Sequence, residues 1–165
     1  MKHEITDLKG RTKKIACIAC SIQAGEVENP GAIAKSEYFV AEQDYEFPIP
    51  GFVILVSKRH LQSVDEFTEA EQQDFIKFLC RLRLGMRKAL DIEHVYIVQE
   101  EDTTTSHFHV WLFPRYQWMK DKFGRKIESV KPIMEFARGN LKTETNLQAV
   151  DTATQKLQQF FLSIE

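Results

Sequence analysis

The spacing of apolar residues along the chain changes period several times, and each change predicts an element. Residues 37–43 and 51–58 read as two strands, with Pro48, Ile49, Pro50 and Gly51 as the turn between them. Val53, Ile54, Leu55 and Val56 are apolar without a break, which predicts a strand covered on both faces. The period then lengthens. Phe75, Phe78, Leu79, Leu82, Met86, Ala89 and Leu90 recur at helical spacing behind Thr68-Glu69-Ala70-Glu71, a capping box, so a helix is expected over 68–90. Cys80 falls off the apolar stripe and reads as structural filler, and Arg81, Arg83, Arg87 and Lys88 as a solvated face. Residues 95–98 and 107–113 read as a third and a fourth strand, with a polar loop at Thr103-Thr104-Thr105-Ser106.

Farther on, Ser129 is expected to cap a helix with Pro132 in its first turn and Gly139 past its end. Val130, Ile133, Met134 and Ala137 would form its buried face. Leu147, Val150, Ala153, Leu157, Phe160, Phe161 and Ile164 predict a last amphipathic helix. Strands, helix, strands, helices is an α+β order with antiparallel pairing rather than an alternating βαβ one. Residues 1–14 read as a charged lead-in. Its Lys9, Arg11, Lys13 and Lys14 suit a solvated tail, or a phosphate-binding arm.

Composition narrows the class. At 43% hydrophobic and 28% charged, the 165 residues have a globular balance and are enough for one domain with its own core. A net charge of -2 gives the whole chain no attraction to nucleic acid or an anionic membrane. The start is polar and the longest apolar run, residues 52–56, is far too short to cross a bilayer, so a cytoplasmic protein without a membrane partner is expected. Three cysteines, an odd number, argue against a disulfide framework in such a compartment.

Candidate chemistry lies in the fourth strand. His107, His109 and Trp111 alternate with Phe108, Val110 and Leu112, so the two histidines and the tryptophan share a face, at roughly 7 Å between successive same-face positions. Alone, such a pair also describes two surface histidines on an edge strand. Cys17 and Cys20 add a metal reading, because two thiolates at this spacing hold one Zn²⁺ if two nitrogens complete the tetrahedron. His60 and His107 could supply them if the two strand ends are neighbours. The spacing is equally that of two buried free cysteines.

Taken together these motifs resemble one family. The segment from Cys17-Ile18-Ala19-Cys20 to Gly25-Glu26 is similar to the opening motif of zinc-containing histidine triad proteins, a superfamily of nucleotide hydrolases and nucleotidyl transferases. Asp44, Pro50, Lys58 and His60 stand in the register of its central strands, and His107-Phe108-His109-Val110-Trp111 resembles its signature of alternating histidines. The resemblance spans residues 15–119. It leaves 1–14 as the lead-in and 120–165 as a helical extension packed on the same domain.

The resemblance implies an antiparallel sheet with a long packed helix. It implies a structural zinc on Cys17, Cys20, His60 and His107, a nucleophilic His109, a ribose-binding Asp44, and phosphate contacts from the loop with Thr104 and Ser106. It also implies a nucleotide substrate and a homodimer in which Phe75, Phe78 and Leu82 are shared between core and interface. The expected activity is nucleotide hydrolysis through a nucleotidyl-histidine, with dinucleoside polyphosphates as candidate substrates. The alternatives are nucleotidyl transfer and a zinc-stabilised nucleotide-binding protein with little turnover. Several positions depart from the pattern. Trp111 and Phe52 stand where members usually carry histidines, Ala19 replaces a common phenylalanine, and Glu42 stands where an aromatic often packs. Arg115, Gln117 and Trp118 follow the triad strand and read either as phosphate contacts or as a packed turn.

Overall fold

The computed structural model describes residues 3–28, 31–101 and 107–163. Its centre is a five-stranded antiparallel sheet of β3 (Ala32–Lys35), β4 (Phe39–Gln43), β5 (Val53–Ser57), β6 (Val95–Gln99) and β7 (His109–Pro114), in the order β3-β4-β5-β7-β6. β5 lies in the middle and is buried at all five positions, as its unbroken apolar run predicts. One face of the sheet presents Phe39, Ala41, Val53, Leu55, Val110 and Leu112. Two helices cover that face, α2 (Glu69–Leu90) with Phe78, Leu82 and Met86, and α5 (Glu144–Leu162) with Leu157 and Phe161. The helices meet closely at Gly85, where a Cβ would lie 2.9 Å from the Phe160 ring.

The other face carries Ile54, Val56, Trp111 and Phe113. It is covered in part by α3 (Gln117–Phe123) and α4 (Val130–Asn140), through Met119, Val130, Ile133, Met134 and Ala137. The short α1 (Ile18–Gln23) adds Ala19. Between α1 and the sheet this face stays partly open, and His109 and Trp111 stand there.

The capping box holds: Thr68 Oγ1 accepts from the Glu71 amide, and the Glu71 carboxylate accepts from the Thr68 amide at 2.8 Å. Other expectations need correction. Residues 3–15 are not a loose lead-in but a hairpin of β1 (His3–Thr6) and β2 (Thr12–Ile15). Its turn closes because Asp7 Oδ1 accepts from the Lys9 and Arg11 amides and Gly10 takes a positive φ of 79°. Ile5 and Ile15 pack with Val27, so the cations face out while a small apolar cluster anchors the hairpin.

Ser129 stands at the N-cap of α4 but its side chain makes no capping bond: the hydroxyl donates to the Lys126 carbonyl and accepts from Arg115 instead. Gly139 lies inside the last turn of α4, not beyond it. Cys80, off the apolar stripe, is exposed rather than packed as filler. Phe78 and Leu82 are buried in their own core, and Phe75 packs beside Phe39, Phe67 and Phe108.

Candidate functional site

The metal reading of the sequence is a statement about two strand ends, and the sheet brings them together. β5 and β7 are neighbours, with Val56 opposite His109. His60 follows the end of β5 and His107 precedes the start of the antiparallel β7, so both arrive at the same edge of the fold. Cys17 sits at the N-terminal boundary of α1 and Cys20 one turn on. The four donor atoms lie within 4.8 Å of one another. Cys20 Sγ is 3.2 Å from His60 Nδ1 and 3.4 Å from His107 Nδ1, and Cys17 Sγ is 3.4 Å from His107 Nδ1. A tetrahedral ion with bonds of about 2.3 Å to sulfur and 2.0 Å to nitrogen has ligand–ligand edges of this size. The donor set therefore fits a metal ion with a closed shell.

Outer partners hold the ligands in place. His107 Nε2–H donates to the Ser57 carbonyl at 2.7 Å, which leaves Nδ1 as the metal-facing nitrogen. The same carbonyl accepts from Gln23 Nε2 at 3.0 Å, tying α1 to β5. Arg59, next to His60, grips Glu71 with Nε and Nη2 at 3.0 and 2.9 Å. That bond holds the Glu71 carboxyl down at about 2 and pins the loop after β5 to the N-terminus of α2. With no cation, burial and the neighbouring Cys17 push the Cys20 thiol up to about 11. Burial also lowers the His107 imidazole, so the cluster favours neutral nitrogen and calls for a cation to form thiolate.

His109 lies one row into the sheet from this cluster. Its Nδ1–H donates to the His107 carbonyl at 2.9 Å, so the neutral ring carries its lone pair on Nε2. The side chain lines a cleft of about 240 Å³ that Ala19, Glu42, Asp44, Phe47, Ile54 and Trp111 also line. The Trp111 ring is 6.0 Å from that of His109, and meets Phe52 edge-on at the same separation. Trp111 thus gives the cleft an apolar wall beside His109, and Phe52 is fully buried against it. A second cavity of about 140 Å³ lies on another side of Asp44, beside the hairpin and α5, and holds neither histidine.

Asp44 is the turn residue of the loop joining β4 to β5. Its Oδ1 accepts from the Glu46 and Phe47 amides at 2.9 and 2.7 Å. Loss of surrounding water outweighs those bonds and raises its carboxyl to about 7. Gln43 crosses the loop, donating to the Ile49 carbonyl and accepting from the Gly51 amide, each at 3.0 Å. The C-terminal helices grip it from outside. Arg138 of α4 lies 4.7 Å over the Phe47 ring and 3.6 Å from the Glu46 carboxylate. Asn146 of α5 donates to the Pro48 carbonyl at 2.6 Å.

Cys17, Cys20, His60 and His107 come together, and Asp44, His109 and Trp111 share the cleft. Thr104 and Ser106 lie outside the described residues. Arg115 is no phosphate contact: it is 4% exposed, donates to Ser129 Oγ and the Gly124 carbonyl, and stacks 4.6 Å over Tyr96. Gln117 bonds Asp121 within α3. Sequence reasoning missed Tyr45 and Phe47 in the cleft. Their signal was their place within three residues after Asp44.

The comparisons with known proteins can be set against this geometry. No family model matches the sequence, and no curated protein does. Solved structures do match. A Zn-bound histidine triad family protein from Mycobacterium smegmatis superposes with a TM-score of 0.63 at 18% identity, over 90% of this chain and 97% of that one. The fold is that of the histidine triad proteins. A hypothetical histidine triad nucleotide-binding protein from Sulfolobus tokodaii agrees at a TM-score of 0.58 and 19% identity, over 86% and 93% of the two chains. A histidine triad family protein from Bacillus subtilis gives 0.57 at 20% identity, over 78% and 99%. The α+β architecture that the sequence resemblance implies is thus the architecture observed. Among the described residues, no helix is long and apolar enough to cross a membrane.

Proposed function

We propose that the chain is a nucleotide-processing enzyme of the histidine triad type, with His109 attacking the α-phosphorus of a nucleoside phosphate. The observation that supports this best is the His109 ring. Its Nδ1–H is fixed on the His107 carbonyl, which leaves the Nε2 lone pair on a side chain lining the cleft. In this reading Nε2 forms a bond to phosphorus as the bond to the leaving oxygen breaks, and that oxygen departs with the electron pair. Water then attacks phosphorus, the P–N bond breaks, the pair returns to Nε2, and the water's proton passes to solvent. One difficult displacement becomes two. Asp44 takes the ribose, and the loop with Thr104 and Ser106 supplies phosphate contacts.

Zinc is the ion we assign to Cys17, Cys20, His60 and His107, because mixed thiolate and imidazole donors in a closed set of four suit it. Its contribution is to hold the strand that carries His109. With every position filled by protein, it supplies no open site for substrate.

Trp111 and Phe52 give a leaving group no proton. Substrates with acidic leaving groups, such as dinucleoside polyphosphates and phosphoramidates, should therefore outperform alkyl esters. The same apolar wall favours a second reading, nucleotidyl transfer to a phosphate acceptor, because it disfavours an ordered water beside His109. A homodimer belongs to the proposal. Phe78 and Leu82 are taken up by the core, so its apolar surface would be Ile76 and Leu84 of α2 and Ile97 of the edge strand β6, each about half exposed. Light scattering at micromolar concentration checks it, and a monomer rejects it. The test of the chemistry is to incubate the protein with a nucleotide panel, quench in alkali, and look for a nucleotide bonded to His109 by mass spectrometry. An adduct with turnover supports the enzyme, and binding with neither favours the nucleotide-binding alternative.

A further inference from the structure

The cleft holds an acidic residue that the mechanism above does not use. Glu42 is 9% exposed and lines the cleft. Its position follows from register: Glu42 pairs with Ile54, and Ile54 with Trp111, so the three form one row across β4, β5 and β7. His109, paired with Val56, lies in the adjacent row. Two strand spacings put the Glu42 Cα roughly 10 Å from that of Trp111, along the open face. Ala19, Phe47 and Ile54 line the same cleft with apolar side chains. A planar ring seated on them, with its phosphate toward His109, would meet a carboxylate at its edge.

We infer that Glu42 reads the base and makes the site selective for guanine nucleotides. The argument rests on the nucleotide reading above and adds the substrate class. A carboxylate only accepts, and offers about four lone-pair sites, so it can serve a neighbour in the protein and a ligand together. Guanine is the common base that presents two adjacent donors, N1–H and the N2 amino group, to match both carboxylate oxygens. Adenine and cytosine each place a ring acceptor beside their amino donor, and uracil flanks its single N3–H with two carbonyls. Each would set a lone pair against the carboxylate. A bidentate match of this kind discriminates by about tenfold or more.

The experiment uses the full chain with its metal, and equilibrium titration with GMP, AMP, CMP and UMP. GMP should bind about tenfold or more tightly than AMP. Glu42→Gln changes the edge from two acceptors to an acceptor beside a donor, which complements adenine. The GMP preference should then fall and AMP binding should rise, with zinc content and melting temperature unchanged. Glu42→Ala should level the four affinities. Wild-type protein that binds nucleotides without preferring GMP overturns the inference while leaving the nucleotide reading intact, and this needs no variant to fold. A Glu42→Gln protein that weakens all four nucleotides equally also overturns it, because a structural role predicts that. If none of the four binds the metal-loaded chain, the nucleotide reading fails and takes the inference with it.

Discussion

The cleft has two ends, built differently. At the metal end, four donors on three separate segments meet within 4.8 Å, and each segment has its own outer support. Gln23 holds α1, the Ser57 carbonyl holds His107, and Arg59 with Glu71 holds the loop of His60. At the other end, Phe47 and Trp111 line the cleft, and Asp44 sits where lost hydration disfavours its charge. Two buried or half-buried carboxylates make the contrast plain. Glu71 is held down to about 2 by Arg59, while burial raises Asp44 to about 7. The first stabilises the fold as an anion. The second costs stability as an anion, as is common where a group serves a ligand. The end that holds His107 and His109 is braced by hydrogen-bonded partners, and the Asp44 end carries a charge that its surroundings disfavour.

The sharpest way to break this comparison is to remove one histidine from each side of it. His107→Ala should lower zinc to well under one equivalent, reduce stability by about 3 kcal/mol or more, and lower the melting temperature on the order of 10 °C. Activity should fall with it. His109→Ala should reduce nucleotidyl transfer by more than about a thousandfold yet leave zinc and melting temperature near wild type. Elemental analysis and calorimetry on the two proteins decide the matter. If His109→Ala also loses metal, the two ends are one unit and the contrast fails.

The legibility of the sequence follows the same division. The residue types of the metal end could be read because cysteine and histidine are rare and chemically marked, whereas the neighbouring of the strand ends that carry His60 and His107 rests on the pairing of β5 with β7, which local pattern does not encode. The hairpin was hidden because its cations dominate the composition while only Ile5 and Ile15 anchor it. Strand β3 has four residues and a register shift between Ala32 and Ala34, too little pattern to register. Ser129 stands at the N-cap as its position predicts, but the buried guanidinium of Arg115, 14 residues earlier, takes its hydroxyl in place of a helix amide. The grip of α4 and α5 on the Asp44 loop joins residues about ninety or more positions apart, such as Asn146 and Pro48, and local sequence cannot encode that pairing visibly.

Glu71 offers the next largest effect. Its folded pKa lies below the ordinary value of 4.5, so the unfolded chain binds more protons in between. The stability it provides is complete above about pH 4.5 and is lost as pH falls toward 2. Glu71→Gln should destabilise by about 1.5–3 kcal/mol at neutral pH, since Arg59 is half exposed and regains water in part. It should also flatten the acid limb of a stability–pH curve from urea melts. An unchanged limb would show that the outer support of the metal end is not ionic.

Asp44 predicts the opposite slope. Its folded pKa lies above the ordinary 3.8, so the folded chain holds the extra proton, and stability falls as pH rises from about 4 to 7. Asp44→Asn keeps an Oδ1 acceptor for the Glu46 and Phe47 amides and removes the buried charge. It should melt at or above the wild-type temperature at pH 8 while binding nucleotides more weakly. A variant that is both less stable and weaker in binding would make Asp44 a structural residue like Glu71.

The smallest effect concerns the extension that lies outside the sequence resemblance. Arg138 touches the Asp44 loop through a ring contact at 4.7 Å and a loose ion pair at 3.6 Å, and its side chain is half exposed. Such contacts contribute about 1 kcal/mol together. They sit on Phe47 and Glu46, the two residues whose amides hold the Asp44 carboxylate, so their loss loosens the group to which the proposed function gives the ribose and leaves His109 untouched. Arg138→Ala should therefore raise KM a few-fold with kcat nearly constant. Arg138→Lys should restore the charge near Glu46 but only part of the stacking on Phe47, and so part of the affinity. A fall in kcat at constant KM would place the effect at the metal end instead, and would mean that α4 steadies the whole sheet rather than one loop of the cleft.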